Sequence, residues 1–131
     1  MLASKVMDRY LAVMAGAAIG GLARYAISSW VNTRYTGAFP MGTFLVNLSG
    51  SLLIGVLMAI FTARFPQHAA LRLFLIVGVL GGYTTFSSFA FENFATIRSG
   101  EVAVAVLNSV GSVVLGTLAV WLGNILGTAK Q

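Results

Sequence analysis

Residues 102–126 read VAVAVLNSVGSVVLGTLAVWLGNIL, 25 consecutive positions without a charged side chain. A bilayer core about 30 Å thick takes about 20 apolar residues of helix to cross. The stretch is long enough to span a membrane, and it is not alone. Residues 44–61 carry no charge in 18 positions and residues 73–91 none in 19. A fourth apolar stretch, residues 10–31, is interrupted only by Arg24. The pattern predicts four transmembrane helices at 8–31, 42–63, 71–97 and 101–126, joined by short connections reading TGAFP (36–40), PQH (66–68) and RSG (98–100).

The composition agrees. Of 131 residues, 58% are apolar and 8% charged, where a soluble domain has roughly a quarter charged. So short a chain has a high surface-to-volume ratio, and its few charges cannot coat a surface in water. A soluble globular domain and a disordered chain are both excluded. The expectation is one all-α membrane domain over 1–131, with no extramembrane part. The N-terminal MLASKVMDRY lacks a leader pattern, so the first helix is read as retained. Cysteine is absent, which excludes disulfides and thiolate metal sites.

The net charge of +5 belongs to the membrane flanks and not to a nucleic-acid patch. Four alternating helices put Lys5, Arg9, Arg64, Arg72 and Lys130 on one side and Arg34 and Arg98 on the other. That excess favours termini in the cytoplasm. Small residues recur at a spacing of four: Gly16 and Gly20 (then Gly21), Gly78 and Gly82, Ser112 and Gly116, Gly123 and Gly127. This spacing lets helices approach closely in lipid. Four thin helices have little interior, so any pathway through them implies a homo-oligomer.

Polar groups in hydrocarbon are costly unless paired, and this makes them the candidates for function. Arg24 either attracts an anion or pairs with backbone carbonyls. Asn47, with Ser51 one turn on, either donates to an anion or bonds a neighbouring helix. In GGYTTFSSFAFENF (81–94) a glycine pair precedes two stiff threonines, a poor helix interior. A break there frees carbonyl oxygens, which suit a hard cation. Thr hydroxyls bonding backwards across a simple kink is the other reading. Phe86, Phe89 and Asn93 then share one helix face. Phenyl rings have electropositive edges that offer an anion weak contacts, although such a stripe also serves packing. Asn108, Ser109 and Ser112 give the last helix polar positions, with Asn108 and Ser112 on one face.

The absences narrow the class. No carboxylate falls near the centre of a span: Asp8 and Glu101 lie at helix ends, and Glu92 is late in the third helix. Cation exporters usually need one. The single histidine, His68, is in a loop, and there is no GxSxG, HExxH or phosphate-binding loop. No enzymatic constellation is present.

The strings GGLARY (20–25), GTFLVNLSGSLLIG (42–55) and GGYTTFSSFAFE (81–92) together resemble the CrcB/Fluc fluoride channels. The resemblance covers nearly the whole chain in length, helix order and motif placement. It implies an antiparallel, dual-topology homodimer in the inner membrane of a microbial cell, with helix 3 broken. Such a dimer exports fluoride passively through two pores. It also implies a central structural Na+ held by the backbone carbonyls of Gly81 and Thr84. By the same resemblance Asn47 is a pore donor, and Phe86 and Phe89 face the ion with their edges. Ser88 and Thr85 are nearby hydroxyls, and Arg24 stands near a pore entrance. Asn108 occupies a position where some members carry Tyr, one turn before the serine matched by Ser112. A small dual-topology exporter of cations or drugs is the alternative function, and a packing subunit without transport a third.

Overall fold

The computed structural model describes residues 2–129, with side chains from Val6 onward. Lys130 and the side chain of Lys5, both counted in the charge bias, lie outside the described residues. The elements are α1 (Leu2–Asn32), α2 (Met41–Arg64), α3 (Ala69–Arg72), a π-helical stretch (Leu73–Leu80), α4 (Gly81–Tyr83), α5 (Phe86–Arg98) and α6 (Val102–Thr128). Among the described residues there is no strand.

Among the described residues four segments are long and apolar enough to cross a bilayer: Val6–Asn32, Met41–Arg64, Ala69–Arg98 and Val102–Thr128. They match the four expected spans to within a few residues. The protein is therefore a multi-pass membrane protein. Large apolar side chains such as Leu22, Val77, Phe91, Val113 and Trp121 stand exposed, as helices bathed in lipid require. The buried set is small and centres on Val46, Leu80 and Tyr83, with Ala23, Ile54 and Leu57 packed against it.

Glycine sets the two main helix pairings. Along α1, a methyl at Gly16 would strike the Phe74 carbonyl, and one at Gly20 the Val79 carbonyl. A methyl on Gly82 would come within 2.6 Å of the Ala17 carbonyl. Gly55 and Gly123 do the same for α2 and α6, meeting the carbonyls of Val120 and Leu52. Backbones this close gain dispersion contacts that larger residues would forbid. Two glycines of the expected stripes do not take part. Gly21 has nothing within 4 Å, and Gly116 meets only Ser51 Oγ at an ordinary 3.5 Å.

The third span departs from a plain α-helix twice. In the π-helical stretch the turns are wide, and the Gly81 N–H reaches back five residues to the Ile76 carbonyl. Thr84 (φ −81, ψ 157) and Thr85 (φ −151, ψ 124) are then extended between α4 and α5. At the far end Gly100, with φ +90, makes the turn into α6. A side chain adopts that conformation only with strain.

Candidate functional site: a cavity beside the Thr84–Thr85 segment

Extended residues inside a span leave backbone groups without helical partners, and at membrane depth these must be satisfied. Asn47 of α2 serves the first pair. Its Oδ1 accepts from the Thr85 N–H at 2.8 Å, and its Nδ2 donates to the Thr85 carbonyl at 3.0 Å. Thr85 in turn caps α5, its Oγ1 accepting from the Ser88 N–H at 3.2 Å, as N-cap threonines do. These two bonds divert the amides that an unbroken helix would send to the carbonyls of Gly81 and Thr84. The Thr84 hydroxyl also bonds backwards, to the Leu80 carbonyl at 2.9 Å.

A third carbonyl of the segment is taken by α1. Arg24 Nε donates to the Gly82 oxygen at 3.2 Å. A guanidinium at the C-terminal end of a helical segment opposes the partial negative charge there. Tyr83 is buried, and its hydroxyl pairs with Ser49 Oγ at 2.9 Å. The segment is thus held from α2 by Asn47 and Ser49, and from α1 by Arg24.

Beside it lies a cavity of about 570 Å³. Asn47, Gly50 and Ser51 line it from α2, Gly81, Thr84, Thr85, Phe86 and Phe89 from the third span, and Ser112 from α6. No charged side chain is among its lining residues. The Phe86 and Phe89 rings stand 5.8 Å apart, tilted 41° to each other. Phe86 is 79% exposed. Most of the lining is apolar, with the Asn47 amide, the Ser51, Thr84, Thr85 and Ser112 hydroxyls and the Phe86 and Phe89 rings set into it.

Behind Ser112, α5 and α6 are joined by a buried polar network. Asn108 is 1% exposed, and its Nδ2 donates to Asn93 Oδ1 at 2.8 Å. Asn93 Nδ2 donates to Ser109 Oγ at 3.2 Å, and the Ser112 hydroxyl donates to Asn108 Oδ1 at 3.3 Å. Nearer the start of α2, Thr43 Oγ1 donates to Glu92 Oε1 at 2.7 Å. Glu92 Oε2 is buried without a hydrogen-bond partner among the described residues. Arg98 lies over the Phe94 ring, 5.8 Å from its centroid.

The cavity thus brings together Asn47, Gly81, Thr84, Thr85, Phe86, Phe89 and Ser112 of the expected site. Ser88 stands just behind, bonded to Thr85. Arg24 and Asn108 are not on its wall: Arg24 is turned to the Gly82 carbonyl, and Asn108 is enclosed between helices. Thr43 was not singled out in the sequence, although it stands one turn before Asn47 on the same helix face as Asn47 and Ser51. Asn93 was seen only as the last member of the Phe86–Phe89 face, and its buried partner Asn108 gives it its role in the network.

The fold and the site define a small multi-pass membrane protein with a largely apolar, aromatic-walled cavity into which a few amide and hydroxyl groups reach. A family model described as "CrcB-like protein, Camphor Resistance (CrcB)" matches residues 11–124. The chain belongs to the CrcB family. It is 45% identical over 118 residues to a Solibacter usitatus protein named fluoride-specific ion channel FluC, covering 90% of this chain and 97% of the relative. A Thermus thermophilus protein of the same name is 46% identical over 127 residues, covering 94% and 96%. A third relative so named, from Chloroflexus aurantiacus, is 45% identical over 121 residues, covering 92% and 96%.

Proposed function

We propose that the protein is a subunit of a passive, fluoride-selective channel of the cell's inner membrane. The observation that carries this reading is the lining of one cavity: Asn47, Thr85 and Ser112 with the Phe86 and Phe89 rings, and no carboxylate. Relatives at about 45% identity that carry the fluoride-channel name support it. The same lining disfavours a cation exporter, which needs a buried negative charge.

Fluoride holds its water tightly, so a pore must replace that shell without trapping the ion. Asn47 has the means. One of its two amide hydrogens is engaged by the Thr85 carbonyl, which leaves the other for an anion. The ring edges of Phe86 and Phe89 supply weaker electropositive contacts. Ser51, Thr85 and Ser112 add hydroxyl groups to the lining, with Ser88 bonded behind Thr85. Export needs no coupled energy source, because a potential negative inside drives an anion outward by about 2.3 kcal/mol per 100 mV.

The reading includes a structural Na+ and a second, antiparallel copy of the chain. The carbonyls of Gly81 and Thr84 fit a hard cation, since their helical donors are diverted to Asn47 and to Thr85 Oγ1. Two carbonyls under-coordinate such an ion, and a second copy supplies two more. When bound, the ion raises the local potential for an anion and ties the subunits together. The largely exposed Phe86 is consistent with a face completed by that partner. Two pores then run through each dimer.

Purified protein in liposomes, loaded with sodium fluoride and followed by a fluoride electrode, tests the reading. Rapid fluoride release without chloride release is expected. Release of both ions, or of neither, overturns it.

A further inference from the structure

The network behind the cavity has a direction. Ser109 has one hydroxyl hydrogen, and it goes to the Ala105 carbonyl at 2.8 Å. A carbonyl cannot donate, so Ser109 can only accept from Asn93. Asn93 therefore turns its amide nitrogen to Ser109 and its oxygen to Asn108. Asn108 must donate to that oxygen, which leaves its own oxygen to accept from Ser112. The backbone at Ala105 thus fixes every link, and the last one draws the Ser112 hydrogen inward. Ser112 lines the cavity, but it shows the cavity its lone pairs.

We propose that Asn108, held by Asn93, is a positioning residue that draws the Ser112 hydroxyl hydrogen away from the cavity, so that this serine grips a passing anion weakly. The inference rests on the fluoride-channel reading above. An anion gains the Ser112 hydrogen only by pulling it off Asn108. Asn108 is almost fully buried, so its oxygen is then left without a donor, a state that costs free energy. The link broken is the longest of the four, at 3.3 Å, and its breaking is reversible on each passage. The cost is subtracted from the ion's binding at this point, which favours its departure.

Two arms test this in the full-length protein in lipid. Without fluoride, proton-detected solid-state NMR should correlate the Ser112 hydroxyl hydrogen with the Asn108 side-chain carbonyl carbon. A hydroxyl that points elsewhere overturns the proposal. The second arm is fluoride binding by titration with sodium fluoride. Ser112→Ala should weaken it by less than about threefold, because the hydrogen is already engaged. The pair Asn93→Leu/Asn108→Leu removes both buried partners together, the exchange a core tolerates best. It should tighten binding about tenfold, and this gain should vanish when Ser112→Ala is added. A large loss on Ser112→Ala alone, or an equal gain with and without Ser112, overturns the proposal. If the paired variant does not fold, Ser112→Ala and the NMR correlation decide. If the unmodified protein neither binds nor passes fluoride, the channel reading fails, and the fluoride-free correlation still decides the direction of the network.

Discussion

Replacing Asn47 by aspartate separates its two duties. The substitution changes one amide nitrogen to oxygen at constant shape. The Thr85 N–H keeps its acceptor, now charged. The Thr85 carbonyl loses its donor and faces a carboxylate oxygen, where the bond was 3.0 Å long. A half-exposed carbonyl beside a cavity can turn to water, so the structural loss is about 1–2 kcal/mol. The effect on an anion is larger. Two like charges about 4 Å apart repel by about 4 kcal/mol at an effective dielectric of about 20. Half of that slows passage about 30-fold. Asn47→Ala removes both bonds to Thr85 without adding charge, and should cost about 2 kcal/mol of stability with a smaller loss of flux. The assay pairs fluoride efflux from liposomes with thermal unfolding in detergent. Asn47→Asp is expected to unfold several degrees below the parent while still folding, and to conduct at a few per cent of its rate. Parental efflux from a well-folded Asn47→Asp protein would refute the placement of the ion beside this amide.

Three further outcomes are expected. Phe86→Ile and Phe89→Ile each remove a ring edge from the cavity while keeping apolar bulk, and should slow efflux at least about tenfold; unchanged efflux in both would dismiss the edge contact. Gly20→Ala drives a methyl onto the Val79 carbonyl, whereas Gly21→Ala meets open space. Unfolding measurements should show the first losing about 1–3 kcal/mol and the second gaining up to about 1 kcal/mol in helix propensity. Arg24→Gln breaks the charged bond to the Gly82 carbonyl, and should lower stability by about 1.5–3 kcal/mol; an unchanged melting temperature would show that water serves that carbonyl equally well.

The four spans were legible because length and lack of charge are properties of the sequence itself. Residues 42–63 became Met41–Arg64, and 101–126 became Val102–Thr128. The site was legible in kind, since a polar group in lipid announces that it needs a partner, but its partner is not written beside it. Asn47 had two open readings, and it meets one of them by clasping the Thr85 backbone while still lining the cavity. Arg24 had two open readings as well, and its Nε meets the second by donating to the Gly82 carbonyl. Asn108 and Ser112 share a face in sequence, but only packing decides that one is enclosed and the other open. The wide turns of Leu73–Leu80 had no signature, since LFLIVGVL is apolar in any helical register.

Those wide turns have a consequence for the chain's ancestry. A π-turn closes five residues apart where an α-turn closes four, so Leu73–Leu80 harbours a spare residue. An α-helix advances about 100° per position, so a spare residue held in plain α-turns would swivel everything downstream by about that angle. The wide turns absorb it, and Thr84, Thr85 and the two phenylalanines keep the wall they share with Asn47. Losing one residue from this octet should therefore be tolerated, because the turns can tighten to α-geometry and leave that wall in place, whereas losing a second should not.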